Sequence, residues 1–393
     1  MLNILYANPY SLFDYTSGSS NSIRLILKNF THLNCNVNAI FSSVSCSKAG
    51  YSRTKEIINQ SNQDLIVNNF KFENIQCTAL NTRNWDRREL TFDEEKIFYE
   101  ETISLILKNK INLLISWGNL KLEESLFKEA KRLGIKLCFY LVNPNYLGEQ
   151  FYLKDNADYI ITDSYSTKKI YQNFIKNEII VLPKCLEENL SQTFIKKKSK
   201  SCLIVNPSIN KGLEPLLSIS KRILQSIPEI KIWCIDGREQ IYDDLKYLGY
   251  GKSDIPKNIN IFPACNDLNS IYKHVKIVFL LSIWHESGSR VIQESYSNGI
   301  PVICFNTGGN KEFIGENIND IFKLPNLYKD KNNRLRMKNW DNQKMFERIS
   351  FFFKNEKFYD EYSQRIFKKH NINKKNQDFR EALQELILTI RRF

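Results

Sequence analysis

The stretch Phe279-Leu-Leu-Ser-Ile-Trp-His-Glu286-Ser-Gly-Ser-Arg290-Val-Ile-Gln-Glu294-Ser-Tyr-Ser-Asn-Gly299-Ile-Pro301-Val-Ile-Cys-Phe-Asn-Thr-Gly308-Gly309-Asn-Lys-Glu312 decides the fold class. It reads as strand, turn, helix, strand, turn, helix. Each turn lies where the carboxyl end of a strand meets a helix, and in open α/β sheets that edge takes ligands, because helix N-termini present unpaired N–H groups and a partial positive charge. The strand before Glu286 is wholly apolar, as a strand buried on both faces must be, so Glu286 falls in the turn at its end and Glu294 inside the next helix. Two carboxylates so placed can hold different parts of one extended, polyhydroxylated ligand. The plainer reading is a loop carboxylate, and a surface glutamate paired with Arg290 one turn earlier.

The alternation continues on both sides of this stretch. Upstream lie the strand Cys202–Asn206, a helix from Lys211 to Ile227, the strand Lys231–Ile235, and strands at Asn260–Phe262, Val275–Leu281 and Pro301–Phe305. In the N-terminal half, Leu2–Ala7 reads as a buried strand, Ser20–Leu33 as a helix from the spacing of Ile23, Leu27 and Phe30, and Val37–Phe41 as the next strand. A long amphipathic helix over Phe92–Lys108 and strands at Leu113–Ser116, Lys136–Val142 and Tyr159–Thr162 follow. This pattern predicts an α/β fold with parallel sheets covered by helices on both faces. The polar, basic stretch Glu187–Ser201 reads as a linker, and after about residue 325 the pattern turns polar and helical. Phe379–Arg392 closes the chain as an amphipathic helix with Leu383, Leu386 and Ile390 on one stripe. The expected division is residues 1–190, residues 191–375, and a closing helix over 376–393.

Length and composition agree with two cores: 393 residues, 42% of them hydrophobic. The longest apolar runs, such as Ile277–Trp284, fall short of the roughly 18–20 residues that span a bilayer. Met1-Leu-Asn-Ile-Leu-Tyr reads as a first strand rather than a signal peptide, so a cytoplasmic protein is expected. Nine cysteines include no Cys-x-x-Cys pair, and Cys202, Cys234 and Cys304 lie in strand-like runs, which suggests buried free thiols. The four histidines form no cluster, so no metal site is expected. Nearly all of the net charge of +13 falls after residue 190, in runs such as Lys196-Lys-Lys-Ser-Lys200, Lys329 to Lys338, Lys368-Lys369 and Lys374-Lys375. Without interleaved aromatics or a nucleic-acid motif, these read as a solvated linker and surface helices.

Further candidates come from the loops. Asn206-Pro-Ser-Ile-Asn-Lys211-Gly212 is a strand-loop-helix in which a diphosphate would meet one full charge and a helix dipole, although a lone lysine before a turn glycine is equally a surface residue. The loop from Asn8 to Ser19 contains Gly18 and Ser19 but no Gly-x-Gly-x-x-Gly, so it is either a plain turn or a segment that closes over ligands. Trp117, at the end of a strand, either lines a pocket, where an aromatic face would suit a sugar ring, or belongs to the core.

The spacing of Glu286 and Glu294, followed by Asn298-Gly-Ile-Pro-Val and Gly308-Gly309-Asn-Lys-Glu312, and the Asn206 to Gly212 element together resemble the nucleotide-sugar signature of retaining glycosyltransferases with two Rossmann-like domains, most of all glycosyltransferase family 4. The resemblance is close over about residues 200–320 and thin over the first half. It implies two facing Rossmann-like domains of the GT-B type, the C-terminal one holding a UDP- or GDP-sugar and the N-terminal one a hydroxyl acceptor such as a sugar chain or glycolipid. It also implies that Glu294 accepts hydrogen bonds from the ribose, that Glu286 faces the donor sugar, and that Lys211 meets the diphosphate. Ser287, Gly288 and Ser289 would bring backbone N–H groups to the diphosphate, with Asn206, Gly212, Gly308 and Gly309 in the donor loops.

Two departures stand out. Family members usually carry an arginine near Asn206, and a histidine where this chain has Asn143-Pro144-Asn145. Arg290 is the candidate to replace the arginine, and Asn143 or Asn145 the histidine. The absence of any Asp-x-Asp agrees with metal-independent chemistry, and no cofactor is implied beyond the donor. The expected activity is a retaining, hexosyltransferase-like reaction in polysaccharide, glycolipid or glycoconjugate synthesis, with no nucleic-acid partner and peripheral membrane contact left open. The alternatives are a nucleotide-sugar epimerase or hydrolase on the same scaffold, or a catalytically silent nucleotide-sugar-binding protein.

Overall fold

The computed structural model of the chain describes residues 1–59, 66–144, 146, 156–188 and 193–392. The chain forms two compact units, one of Met1–Cys185 with Asn376–Phe393 and one of Leu186–Lys375. Both are Rossmann-like α/β units.

In the first unit the strands are β1 (Asn3–Ala7), β2 (Asn36–Ser42), β3 (Val67–Phe72), β4 (Ile75–Leu80), β5 (Leu113–Ser116), β6 (Lys136–Leu141), β7 (Tyr159–Thr162) and β8 (Ile179–Val181), in the sheet order β3-β4-β2-β1-β5-β6-β7-β8. All neighbours are parallel except β3 against β4. Within β1, Ile4 and Tyr6 enter one core cluster while Leu5 and Ala7 enter another. Successive side chains point to opposite faces, so a strand covered on both sides must be apolar throughout. The helix Ile372–Arg392 returns to this unit, where Phe379, Leu383, Leu386 and Ile387 join the β1 face. Its helical period begins upstream of the predicted Phe379, because the polar first turns carry no stripe to mark them.

In the second unit β9 (Ser201–Val205), β10 (Lys231–Asp236), β11 (Ile259–Pro263), β12 (Ile277–Leu280), β13 (Val302–Phe305) and β14 (Ile321–Phe322) form a parallel sheet in the order β11-β10-β9-β12-β13-β14. The strand order reverses between β9 and β12, which makes the carboxyl ends of these two strands the switch point where such sheets take ligands.

Three expectations need correction. The helix after β9 runs Leu213–Ser226, so Lys211 lies in the loop before it and left-handed Gly212 is its N-cap. The stretch after residue 325 is not wholly helical: β15 (Leu327–Lys329) and β16 (Leu335–Met337) form an antiparallel hairpin. Asp330 accepts backbone hydrogen bonds from Asn332 and Arg334, and Asn333 takes a left-handed conformation that asparagine tolerates, so the charged run is a turn. The Glu187–Ser201 segment is not a fully solvated linker either, since Lys197 is only 2% exposed.

Candidate functional site

Three loops interlock at the carboxyl edge of the second sheet. After β9 the chain turns at Asn206, whose φ is 51° and whose N–H donates to Ile235 O at 2.8 Å. The loop continues with Ile209 N–H on Asp244 Oδ2 at 3.0 Å, and reaches Lys211 and Gly212. Gly212 has φ +92°, and a Cβ there would lie 2.2 Å from Leu281 O, so only glycine lets this loop lie against the exit of β12. Ile283 N–H donates to Asn210 O at 2.9 Å and ties the two loops together. On the other side, Gly308 (φ +52°) packs so closely that a Cβ would sit 1.9 Å from Glu286 O, and Gly309 N–H donates to that oxygen at 2.9 Å.

Glu286 stands at the centre of this arrangement and is buried. Its Oε1 accepts from Ser282 Oγ at 2.5 Å and Trp284 Nε1 at 3.1 Å, and Lys211 Nζ lies 3.3 Å from the same oxygen. Burial pulls the carboxyl pKa upward, but the Lys211 ammonium and these hydrogen bonds more than offset it, so Glu286 is held below its usual range and is ionised. The two residues expected to carry the chemistry are therefore an ion pair across the switch point. Half-buried His285 has its pKa lowered by burial, against the opposing pull of Glu286, which leaves a neutral imidazole at pH 7 that the sequence reading did not single out.

The helix Arg290–Ser297 begins beside this pair. Its N-cap, Ser289, makes no side-chain cap hydrogen bond, and its first turn has no acidic residue, so no carboxylate in that turn offsets the partial positive charge of the helix N-terminus. Glu294 lies within the helix: Oε1 accepts from Arg290 Nε at 3.2 Å and Oε2 from Tyr272 Oη at 3.1 Å. Arg290 is buried, 9% exposed, rather than solvent-facing. Burial and the neighbouring Glu294 keep the Tyr272 phenol protonated, so it acts as a donor. The site thus holds two neutralised pairs, Lys211 with Glu286 and Arg290 with Glu294.

Arg238 was not anticipated. It follows β10 in the turn Gly237-Arg238, where a Cβ on Gly237 would lie 2.4 Å from Asn206 Oδ1. Its Nε and Asn206 Oδ1 are both buried without a hydrogen-bond partner among the described residues. A basic residue therefore follows the strand next to the Asn206 position. A glycine and an arginine directly after an apolar strand were the available signal.

The remaining candidates belong to the first unit. Gly18 opens the helix Gly18–His32, capped by Ser17, which accepts from Ser20 N–H, and Ser19 lies in its first turn. Trp117 follows β5, stacks on Tyr10 with ring centroids 4.9 Å apart, and donates from Nε1 to Tyr6 Oη at 2.9 Å. Beneath the Trp117-Gly118 turn lies a buried charge group that the sequence did not reveal, Arg87 with Glu95 at 2.8 Å and Glu123 at 3.6 Å. Burial raises the pKa of Glu123, with Arg87 opposing. Asn143 is half-buried and its carbonyl accepts from Tyr171 Oη at 2.9 Å, while Asn145 lies outside the described residues. Among the described residues no group of three or more His, Cys, Asp or Glu side chains could hold a metal ion, and no helix is long and apolar enough to cross a membrane.

Residues 187–369 match the family model of glycosyl transferases group 1. No curated protein matches the chain in sequence. Among solved structures, the sucrose-phosphate synthase of Thermosynechococcus elongatus aligns with a TM-score of 0.66 at 13% identity, over 99% of this chain and 100% of that one. HepE of Anabaena, in complex with UDP and glucose, aligns with a TM-score of 0.66 at 12% identity, over 98% and 100% of the two chains. A variant of S. aureus TarM, in complex with fondaparinux, α-GlcNAc-glycerol and UDP, aligns with a TM-score of 0.64 at 11% identity, over 98% and 100%. At these identities the likeness establishes the fold, α/β units with parallel sheets of the kind found in GT-B glycosyltransferases.

Proposed function

We propose that the protein is a retaining, metal-independent glycosyltransferase that moves a sugar from a UDP- or GDP-sugar to a hydroxyl acceptor. The observation that carries this reading is the Lys211–Glu286 pair at the switch point of the second sheet, with Glu294 on the adjoining helix, inside the segment that matches the glycosyl transferases group 1 model. HepE binds UDP with glucose, and the TarM complex holds UDP with a glycerol glycoside, which supports a nucleotide-sugar donor and a hydroxyl acceptor for this chain as well.

In this reading Glu294 accepts hydrogen bonds from the ribose. The diphosphate lies over the N-terminus of the helix Arg290–Ser297, where backbone N–H groups, Lys211 and Arg290 neutralise the charge that develops as the sugar leaves. Lys211 turns from Glu286 toward the phosphates, and Glu286 faces the sugar hydroxyls. The acceptor hydroxyl attacks from the face of the leaving group, and a donor phosphate oxygen takes its proton. The first unit holds the acceptor, with Trp117 offering an aromatic edge and Gly18 and Ser19, which the sequence placed in a loop, opening the helix Gly18–His32 instead.

The test is a panel of UDP- and GDP-sugars screened for thermal stabilisation, followed by mass spectrometry of products with hydroxyl acceptors. Stabilisation by one donor and transfer of its sugar support the reading. No stabilisation by any nucleotide sugar sinks it. Donor loss without acceptor would instead favour a hydrolase.

A further inference from the structure

The lysine run before β9 has a structural role that a solvated linker does not explain. Lys197 turns inward, where burial and then Lys273 push its pKa down to about 8. Its neighbours Lys198, Ser199 and Lys200 line a cavity of about 330 Å³ together with Lys276 and Lys354. These residues precede β9 and β12 or end the helix Gln343–Lys354, so the cavity lies at the amino-terminal edge of the second sheet. The Glu286 edge is one strand away, roughly 15 Å at about 3.3 Å per residue.

Lys276 is the central group. It is 6% exposed, and its backbone is held on both sides, the N–H donating to Ser201 O at 2.8 Å and the carbonyl accepting from Tyr359 Oη at 2.7 Å. The ammonium lies 4.4 Å from the ring centroid of Tyr359 and 5.4 Å from that of Phe353, and no carboxylate pairs with it among the described residues. Of the two glutamates that line the cavity, Glu229 pairs with Lys200 at 3.4 Å and Glu356 with Lys196 at 3.7 Å, and Glu356 and Asp360 act on Lys276 only from beyond ion-pair distance. Ser199 Oγ is buried without a hydrogen-bond partner among the described residues. A buried ammonium with no carboxylate at ion-pair distance is costly, because ring faces and distant carboxylates replace only part of its hydration. Here it shares a cavity with an unsatisfied hydroxyl and three further lysines.

We propose that this cavity binds the phosphate group of a small anionic ligand, at a site separate from the donor edge. Several lysines acting as point charges suit a multiply charged tetrahedral anion better than a single carboxylate. Phe353, Ile227 and Ile230 offer an apolar wall for the remainder of the ligand. The inference does not depend on the glycosyl-transfer reading.

The probe is inorganic pyrophosphate, titrated by calorimetry into full-length Lys211→Met protein so that binding at the donor edge is suppressed. Saturable binding is expected, weakened at least ten-fold when Lys276→Met is added. The exposed pair Lys198→Ala and Lys354→Ala should weaken it several-fold without touching the core, which keeps the test decisive should Lys276→Met fail to fold. A parallel arm sediments the same proteins with phosphatidylglycerol or phosphatidylcholine vesicles. Lys276-dependent pelleting with phosphatidylglycerol alone would identify the phosphate as a lipid headgroup, and Lys276-dependent pyrophosphate binding would identify a free ligand. If neither pyrophosphate nor vesicle binding responds to these substitutions, the cavity is not an anion site.

Discussion

Replacing Glu294 should separate nucleotide binding from turnover. The carboxylate already accepts from Arg290 Nε at 3.2 Å and Tyr272 Oη at 3.1 Å, and its side chain remains 16% exposed, which leaves lone pairs for two ribose hydroxyls. Loss of a charged hydrogen bond to the ligand costs about 1.5–3 kcal/mol, which at 1.4 kcal/mol per decade is roughly a 10- to 150-fold weaker Kd for free UDP or GDP. Glu294→Ala also removes the carboxylate that pairs with buried Arg290 and lowers stability. Glu294→Gln is therefore the cleaner variant, because its amide oxygen can still accept from Arg290 or Tyr272. Glu286→Gln should do the opposite, lowering turnover without weakening nucleotide affinity, since Glu286 is assigned to the sugar and its loss removes the competitor of the diphosphate for Lys211. Calorimetry with the nucleotide alone, alongside initial rates, reads both effects. Equal loss of nucleotide affinity in the two variants would refute the division of roles.

The other expectations are briefer. Arg290→Ala should weaken the diphosphate more than the matching monophosphate, and Arg290→Lys less so, because lysine keeps the charge but loses the planar fork; an unchanged affinity ratio means that Arg290 serves only Glu294. Turnover should survive EDTA and the product should keep the donor's anomeric configuration; an inverted anomer in the NMR spectrum rules out retention. Gly308→Ala should cost about 1–3 kcal/mol in denaturant melts and abolish transfer, since its Cβ would meet Glu286 O at 1.9 Å in a left-handed backbone. Stability should also fall in acid through His370, whose pKa is pushed down to about 3 by burial and then by Lys375 and Lys369. The unfolded state takes up this proton near pH 6.5 and the folded state does not. This contribution is thus constant above pH 6.5 and declines by up to about 1.4 kcal/mol per unit below it. Urea melts of His370→Leu between pH 7 and 5 should show a flatter slope, and an unchanged slope assigns the acid sensitivity to other groups.

Much of the fold was legible because the central strands are buried on both faces. Leu113–Ser116 and Tyr159–Thr162 coincide with their predicted bounds, and so does the helix Phe92–Lys108, whose start carries a capping box between Thr91 and Glu94. What escaped lay mostly at the sheet edges, together with the internal strand Ile75–Leu80. Val67–Phe72 is an edge strand in which Asn69 and Lys71 are exposed and Asn68-Asn69 interrupt any apolar run; Ile179–Val181 and Ile321–Phe322 are too short to show a period. The hairpin at Leu327–Met337 was hidden by its charges, whose partners are distant in sequence, such as Arg336 on Glu214 at 2.7 Å.

The candidate site shows the same division. Spacing along one helix predicted the Arg290–Glu294 contact, because four residues make one turn. No spacing rule could relate Lys211 to Glu286, since that contact depends on β9 and β12 being neighbours, and strand order is not written in either strand. The same holds for the Gly237-Arg238 turn, where Gly237 packs on Asn206 only because β10 lies on the other side of β9. These cross-strand contacts carry a charge argument that sequence alone cannot make. With Lys211 and Arg290 each neutralised by a glutamate, a bound diphosphate must compete with Glu286 for Lys211. Glu286, buried and deprived of its ammonium, would then lose the largest influence holding its pKa down. Nucleotide binding should therefore be accompanied by a rise in the Glu286 pKa and, toward acidic pH, by proton uptake. Calorimetry in buffers of different ionisation enthalpy measures that uptake, and its persistence in Glu286→Gln would place the proton elsewhere.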